Sequence, residues 1–142
     1  GGSLVRAERL RFDFSHFAPL EKREIGRIEA IVNEKIRENI SLEKKEMSIK
    51  EALNTGAMAL FGEKYGETVR LVNVGDYSKE LCGGTHLKAT GEIGVFKIIS
   101  ESAISAGMRR IEAISGAKAY DYLTTIDNRL SELGQILKIR PG

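Results

Sequence analysis

Cysteine is almost absent from this 142-residue chain: Cys82 stands alone, so no internal disulfide framework is available. A lone thiol points to a reducing compartment, and the expectation is a cytoplasmic protein. Long apolar runs are missing as well. No stretch of about 18 apolar residues exists, which leaves no transmembrane helix to expect. The opening GGSLVRAERLRFDF has neither the basic nor the apolar region of a secretory signal. Net charge is small, +2 from 22 basic and 20 acidic residues, which neither demands nor excludes a polyanionic partner. Internal repeats and low-complexity segments are absent too. With 42% apolar and 30% charged residues, the composition is that of one globular domain able to bury a core.

What is present alternates between two periods. Leu10, Phe12 and Phe14 alternate with Arg11 and Asp13, the signature of a half-buried strand. Arg11 and Asp13 share the opposite face, either lining a cleft or forming a surface pair. Pro19 opens a segment with Ile25, Ile28, Val32 and Ile36 at spacings of three and four, which predicts an amphipathic helix over about 19–39. Residues 41–49 read as a short exposed strand and 49–61 as a helix that tolerates Gly56. Residues 67–75 read as a strand with Val69, Leu71 or Val72, and Val74 apolar. Two more strands, 93–105 and 108–116, flank a turn near Ala106-Gly107. Tyr120, Leu123, Ile126, Leu130, Leu133 and Leu137 predict a closing helix over 117–139, the start of a longer coiled segment. The fold class is therefore α+β: a mainly antiparallel sheet layered with helices, followed by a C-terminal helix.

The chemistry concentrates in LCGGTHL, residues 81–87. Cys82 and His86 are the sole cysteine and one of two histidines. Gly83-Gly84 between them favours a tight loop over a helix turn. Such a loop suits zinc, whose thiolate and imidazole ligands converge at about 2.0–2.3 Å. It equally suits close approach of main-chain N–H groups to an anion or ester oxygen. A buried cysteine beside a surface imidazole, or a Cys–His nucleophile pair lacking an orienting third group, are the readings that stand against zinc. Two donors do not complete a tetrahedral site.

The segment CGGTHLKATGEIGVFKIISESAISAGMRRIEAISG (82–116) resembles the signature of the alanyl-tRNA synthetase editing domain, and GSLVRAERLRFDFSHF (2–17) resembles the stretch that precedes it. The linking helix and the NTGAMALFGEKYG run (54–66) fit the same order, so the resemblance covers nearly the whole chain. The threonyl-tRNA synthetase editing domain and free-standing alanyl editing proteins share the Cys-x-x-x-His element, but RFDFSHF and MRRIEA are closer to the synthetase.

The resemblance implies hydrolysis of tRNA(Ala) wrongly charged with serine or glycine. It implies one zinc ion held by Cys82, His86 and an upstream His-x-x-x-His pair. Beside that pattern, Gly83, Gly84 and Thr85 are candidate catalytic loop residues, whose N–H groups would polarise the ester carbonyl. No His-x-x-x-His occurs in this chain. The expectation is the C-terminal portion of an editing domain over 1–116, followed by a helix over 117–142 leading onward. ATP then belongs to an absent aminoacylation domain. His16 is not a ligand in the family pattern. Arg109, Arg110, Lys97 and Lys88 are candidate contacts to the tRNA backbone, although adjacent arginines on a strand face opposite ways. Two alternatives stay open: a metal-free, non-catalytic tRNA-binding fragment, and a free-standing editing factor. The sequence leaves the oligomeric state undecided.

Overall fold

The computed structural model describes residues 2–58 and 66–138. In chain order the elements are β1 (Ser3–Val5), β2 (Leu10–Ser15), α1 (Lys22–Arg37), β3 (Leu42–Ser48), α2 (Ile49–Asn54), β4 (Thr68–Val74) and β5 (Ser78–Leu81). A 3-10 turn (Thr90–Ile93), β6 (Phe96–Ser105), β7 (Met108–Ser115) and α3 (Gly116–Ile136) complete them. Two antiparallel sheets result, one ordered β1-β2-β7-β6 and the other β3-β4-β5. The mixed, mainly antiparallel architecture is the one the two sequence periods predict.

Register sorts the first sheet into two faces. Leu10 lies opposite Ala113, Phe12 opposite Ile111, and Ile98 opposite Ala113, so the apolar positions of three strands share one side. Against that side α1 lays its stripe: Ile36, Phe96, Ile98 and Ala113 are buried, with Leu10, Ile25, Ile28, Val32, Ile93 and Ile111 packed around them. Burying each such side chain contributes about 1.5–3 kcal/mol, which is what holds a helix of marginal intrinsic stability in place.

Polar side chains of α1 also cover the edge of β6. Asn33 Nδ2 donates to Phe96 O at 2.9 Å, and its Oδ1 accepts from Phe96 N at 2.9 Å. Glu29 accepts from Ile98 N at 2.8 Å and from Lys97 Nζ at 2.8 Å. An otherwise open strand edge is thereby blocked.

The second sheet carries its own core. Val69, Leu71 and Leu81 pack with Ala52 and Ala57, and Met47 and Ile49 lie alongside. Val72, on the other face of β4, is buried too, so β4 is covered on both sides. The sequence choice between Leu71 and Val72 therefore resolves to both.

Several boundaries differ from the sequence reading. Pro19 lies ahead of the helix, whose first turn is closed instead at Glu21, where the backbone N–H donates to Glu24 Oε2 at 2.8 Å. α2 is closed at its start by Ser48 and Glu51, and it stops at Asn54. Gly56 follows with φ of 77°, a left-handed turn after the helix and not a tolerated interior glycine. Of the expected 49–61 helix, residues 55–58 are thus turn and bridge, and 59–61 lie outside the described residues. Of the expected 93–105 strand, Ile93 belongs to the 3-10 turn and the strand itself starts at Phe96. The turn is tied down by Thr90, whose hydroxyl donates to Lys35 O (2.6 Å) and accepts from Ile40 N (2.9 Å). At Gly94, φ is 72° and an added Cβ would stand 3.0 Å from Gly116 Cα. Only glycine allows this close approach, at the point where α3 leaves the sheet.

Beyond its first turns α3 exposes much of its stripe, including Leu130, Leu133 and Leu137, while Ala119 is fully buried. No described helix is long and apolar enough to cross a membrane.

Candidate functional site

Alternation along β5 sets the position of the Cys82–His86 loop. Leu81 lies opposite Leu71 and points into the alanine-lined core, fully buried. Cys82 continues the ladder by one residue, its N–H donating to Arg70 O at 3.1 Å. Its side chain therefore belongs to the opposite face of the sheet, the one shared by Arg70, Val72 and, through register, Lys44 and Glu46. Across that face runs the loop. Arg70 Nη1 donates to Gly84 O at 3.2 Å, and Lys44 Nζ donates to His86 O at 3.1 Å. The chain rejoins the sheet where Leu42 N donates to Lys88 O at 2.8 Å.

Two features of the loop bear on ligands. His86 is half-buried, and its Nδ1 is buried with no hydrogen-bond partner among the described residues. Burying an imidazole nitrogen unpaired costs about 1–3 kcal/mol, a cost that a metal or a donor at that atom would remove. Neither Gly83 nor Gly84 takes a positive φ. A Cβ on Gly83 would meet nothing within 4 Å, and one on Gly84 would meet only Cys82 Sγ, at 3.6 Å. The turn expected to need glycine is made without it. The bare backbone leaves the exposed flank of the thiol uncrowded instead.

The donor set fits zinc in part. A thiol and an imidazole are the right chemistry. Among the described residues, however, no group of three or more His, Cys, Asp or Glu could hold a metal ion. Cys82 and His86 would supply two of the four donors that a tetrahedral zinc ion takes.

The candidate backbone-contacting cations are not brought together. Arg109 and Arg110 point to opposite faces of the first sheet, and each is held in a two-pronged ion pair. Arg109 binds Glu101 at 2.6 and 2.7 Å, and Arg110 binds Asp13 at 2.7 and 2.9 Å. The partner of Asp13 is thus Arg110 across the strands, with Arg11 farther off at 3.9 Å. The guanidinium of Arg109 holds the Glu101 carboxyl below its ordinary range, with burial opposing, and Arg110 does the same for Asp13. Lys97 pairs with Glu29. Of the four, Lys88 alone lacks a carboxylate partner among the described residues. His16 stacks on Phe17 with ring centres 4.8 Å apart, and its Nδ1 lies 2.8 Å from Ala18 O. Lys44 and Arg70 escaped the sequence reading. Arg70 did carry a signal, as the one charge inside the apolar run of β4; Lys44, in the pair Lys44-Lys45, carried none.

Known proteins resemble this chain in sequence. Residues 69–112 match the family model described as the threonyl and alanyl tRNA synthetase second additional domain. The chain is 53% identical over 141 residues to an alanine–tRNA ligase of Desulfitobacterium hafniense (strain Y51), covering 99% of this chain and 16% of that protein. It is 56% identical over 136 residues to the alanine–tRNA ligase of Stenotrophomonas maltophilia (strain K279a), covering 96% of this chain and 15% of that one. A Listeria innocua alanine–tRNA ligase is 56% identical over 137 residues, with 96% and 16% covered. The chain therefore spans about a sixth of the length of the relatives it matches.

Proposed function

Because the chain belongs to the alanyl-tRNA synthetase family, within the stretch that carries the second additional domain, we propose that it forms part of an editing centre for tRNA(Ala) mischarged with serine or glycine. The observation that carries the reading is the loop itself: Cys82 on a sheet face, His86 with a buried ring nitrogen that has no partner among the described residues, and a bare glycine backbone beside the thiol. The need for such a centre is physical. A pocket shaped for alanine gains too little from one methyl group to reject glycine, and it cannot strongly reject an added hydroxyl, so a second, hydrolytic site corrects the error.

Cys82 and His86 are assigned as two ligands of one zinc ion, the other two coming from outside the described residues. The ion would supply fixed positive charge that positions the terminal adenosine and the aminoacyl group. The chain's own contribution is main-chain N–H groups in the Gly83–Thr85 loop, directed at the ester carbonyl oxygen. In the reaction, water oxygen bonds to the carbonyl carbon and the bond to the ribose oxygen breaks. The departing ribose oxygen takes up a proton from that water to become a hydroxyl, and the free amino acid leaves. Aminoacylation and ATP use belong to other parts of the synthetase. A second reading, a metal-free tRNA-binding segment, draws on the absence of a third donor among the described residues.

The test is hydrolysis of seryl-, glycyl- and alanyl-tRNA(Ala) by the synthetase carrying this segment. Hydrolysis of the first two and sparing of the third is expected. Equal stability of all three in its presence would overturn the proposal.

A further inference from the structure

Between Cys82 and Lys88 the loop is almost free of backbone pairing. None of the N–H groups of residues 83–87 has an acceptor among the described residues. What fixes this stretch is a pair of cations rising from β3 and β4. Arg70 holds the Gly84 carbonyl and Lys44 holds the His86 carbonyl. Both peptides are trans, since the described chain contains no cis bond. In a trans peptide the N–H points opposite to the C=O of the same unit. A Gly84 carbonyl drawn to Arg70 therefore turns the Thr85 N–H away from the sheet. A His86 carbonyl drawn to Lys44 does the same for the Leu87 N–H. Thr85 and Leu87 are both exposed. A cation bonded to a carbonyl also polarises its amide, which makes the N–H beyond it a stronger donor.

We infer that Arg70 and Lys44 are positioning residues for the ester hydrolysis, aiming the Thr85 and Leu87 amides at the carbonyl oxygen on which negative charge develops. The inference rests on the editing reading and sharpens it: the donors are the amides of Thr85 and Leu87, in preference to those of Gly83 and Gly84. The same two tethers steady the loop that carries Cys82 and His86. Glu46, 3.7 Å from Arg70 on the same face, holds the guanidinium from its other side. The arrangement gives each cation one task at the loop. Arg70 presents two parallel donors and is held twice, whereas Lys44 contributes a single flexible charge, so Arg70 carries the larger share.

The experiment uses the full synthetase carrying this segment, with Arg70→Met, Lys44→Met, their combination, and Arg70→Lys. Two quantities are read: kcat and KM for seryl-tRNA(Ala) hydrolysis, and the rate at which zinc passes to a chromophoric chelator without tRNA. Arg70→Met is expected to lower kcat by about tenfold or more, as misaimed oxyanion donors do, while KM moves far less. Arg70→Lys recovers most of the loss, and the double substitution releases zinc several-fold faster than the parent. A kcat for Arg70→Met within about twofold of the parent, or zinc release unchanged in the double variant, overturns the inference. Should the parent itself fail to hydrolyse the ester, the editing reading falls and this one with it. Parent hydrolysis that survives the substitutions refutes the positioning role alone.

Discussion

Replacing Leu81 by alanine tests how the loop is anchored. Leu81 is completely buried, between Ala52, Ala57, Val69 and Leu71. Removing three buried carbon atoms forfeits roughly 2.5 kcal/mol of transfer free energy at about 0.8 kcal/mol each. A further loss of about 24 cal/mol per Å³ follows from whatever cavity remains. Two of the described neighbours are alanines, with no side chain free to swing inward, and among the described residues packed here the partly buried Met47 has the most flexibility to fill space. The hole therefore stays largely open, and the expected cost is about 3–4 kcal/mol. In urea, with a slope near 1.5–2 kcal/mol/M for a chain of this size, the midpoint should fall by about 2 M at unchanged slope. Leu137→Ala, at a position 64% exposed, is the control and should stay within about 0.5 kcal/mol. A loss under about 1.5 kcal/mol at constant slope would refute the packing argument. Because Cys82 is the next residue, the same substitution should also weaken zinc retention.

Three further outcomes are expected. Asn33→Ala strips Phe96 of its side-chain donor and acceptor together, and should cost about 2–4 kcal/mol in denaturant unfolding. A loss below about 1 kcal/mol would mean that water replaces both bonds. Glu101 and Asp13 are held below their ordinary values of 4.5 and 3.8 by their arginine partners, so their contribution is complete above those values. It is lost as pH falls through the lowered values; Glu101→Gln should flatten stability below about pH 4.5, and an unchanged acid limb would contradict the pairing. Zinc counted per chain should be near one in the synthetase purified without chelator and lost in Cys82→Ala; equal metal in both would remove Cys82 from the ligand set.

Much of the fold is legible in the sequence because period alone selects it. The stripe Ile25–Ile36 and the alternation Leu10–Phe14 have room for many turns or residues, so their faces declare themselves. The strands β1 and β5 do not: Ser3–Val5 is three residues long, and Ser78–Leu81 carries two charges in four positions. Both exist through pairing with a neighbour, which no local pattern encodes. At the site, Cys82 and His86 stand out by rarity. Lys44 and Arg70 become visible only once register places them on the face beneath the loop. The arginine pair of β7 misleads in the other direction, because the partners that occupy it, Glu101 and Asp13, arrive from two other strands. Glycines 83 and 84 are informative for a reason different from the one expected. Neither takes a positive φ, and what they provide is an uncrowded backbone beside the thiol.

The central claim is that the Cys82–His86 loop serves ester hydrolysis in a synthetase of this family. Single-turnover hydrolysis of seryl-tRNA(Ala) by the full protein and its Cys82→Ala variant, with alanine charging measured in parallel, tests it most directly. The account predicts that hydrolysis falls by about two orders of magnitude or more while charging is retained. Hydrolysis at the parent rate in the variant would contradict it.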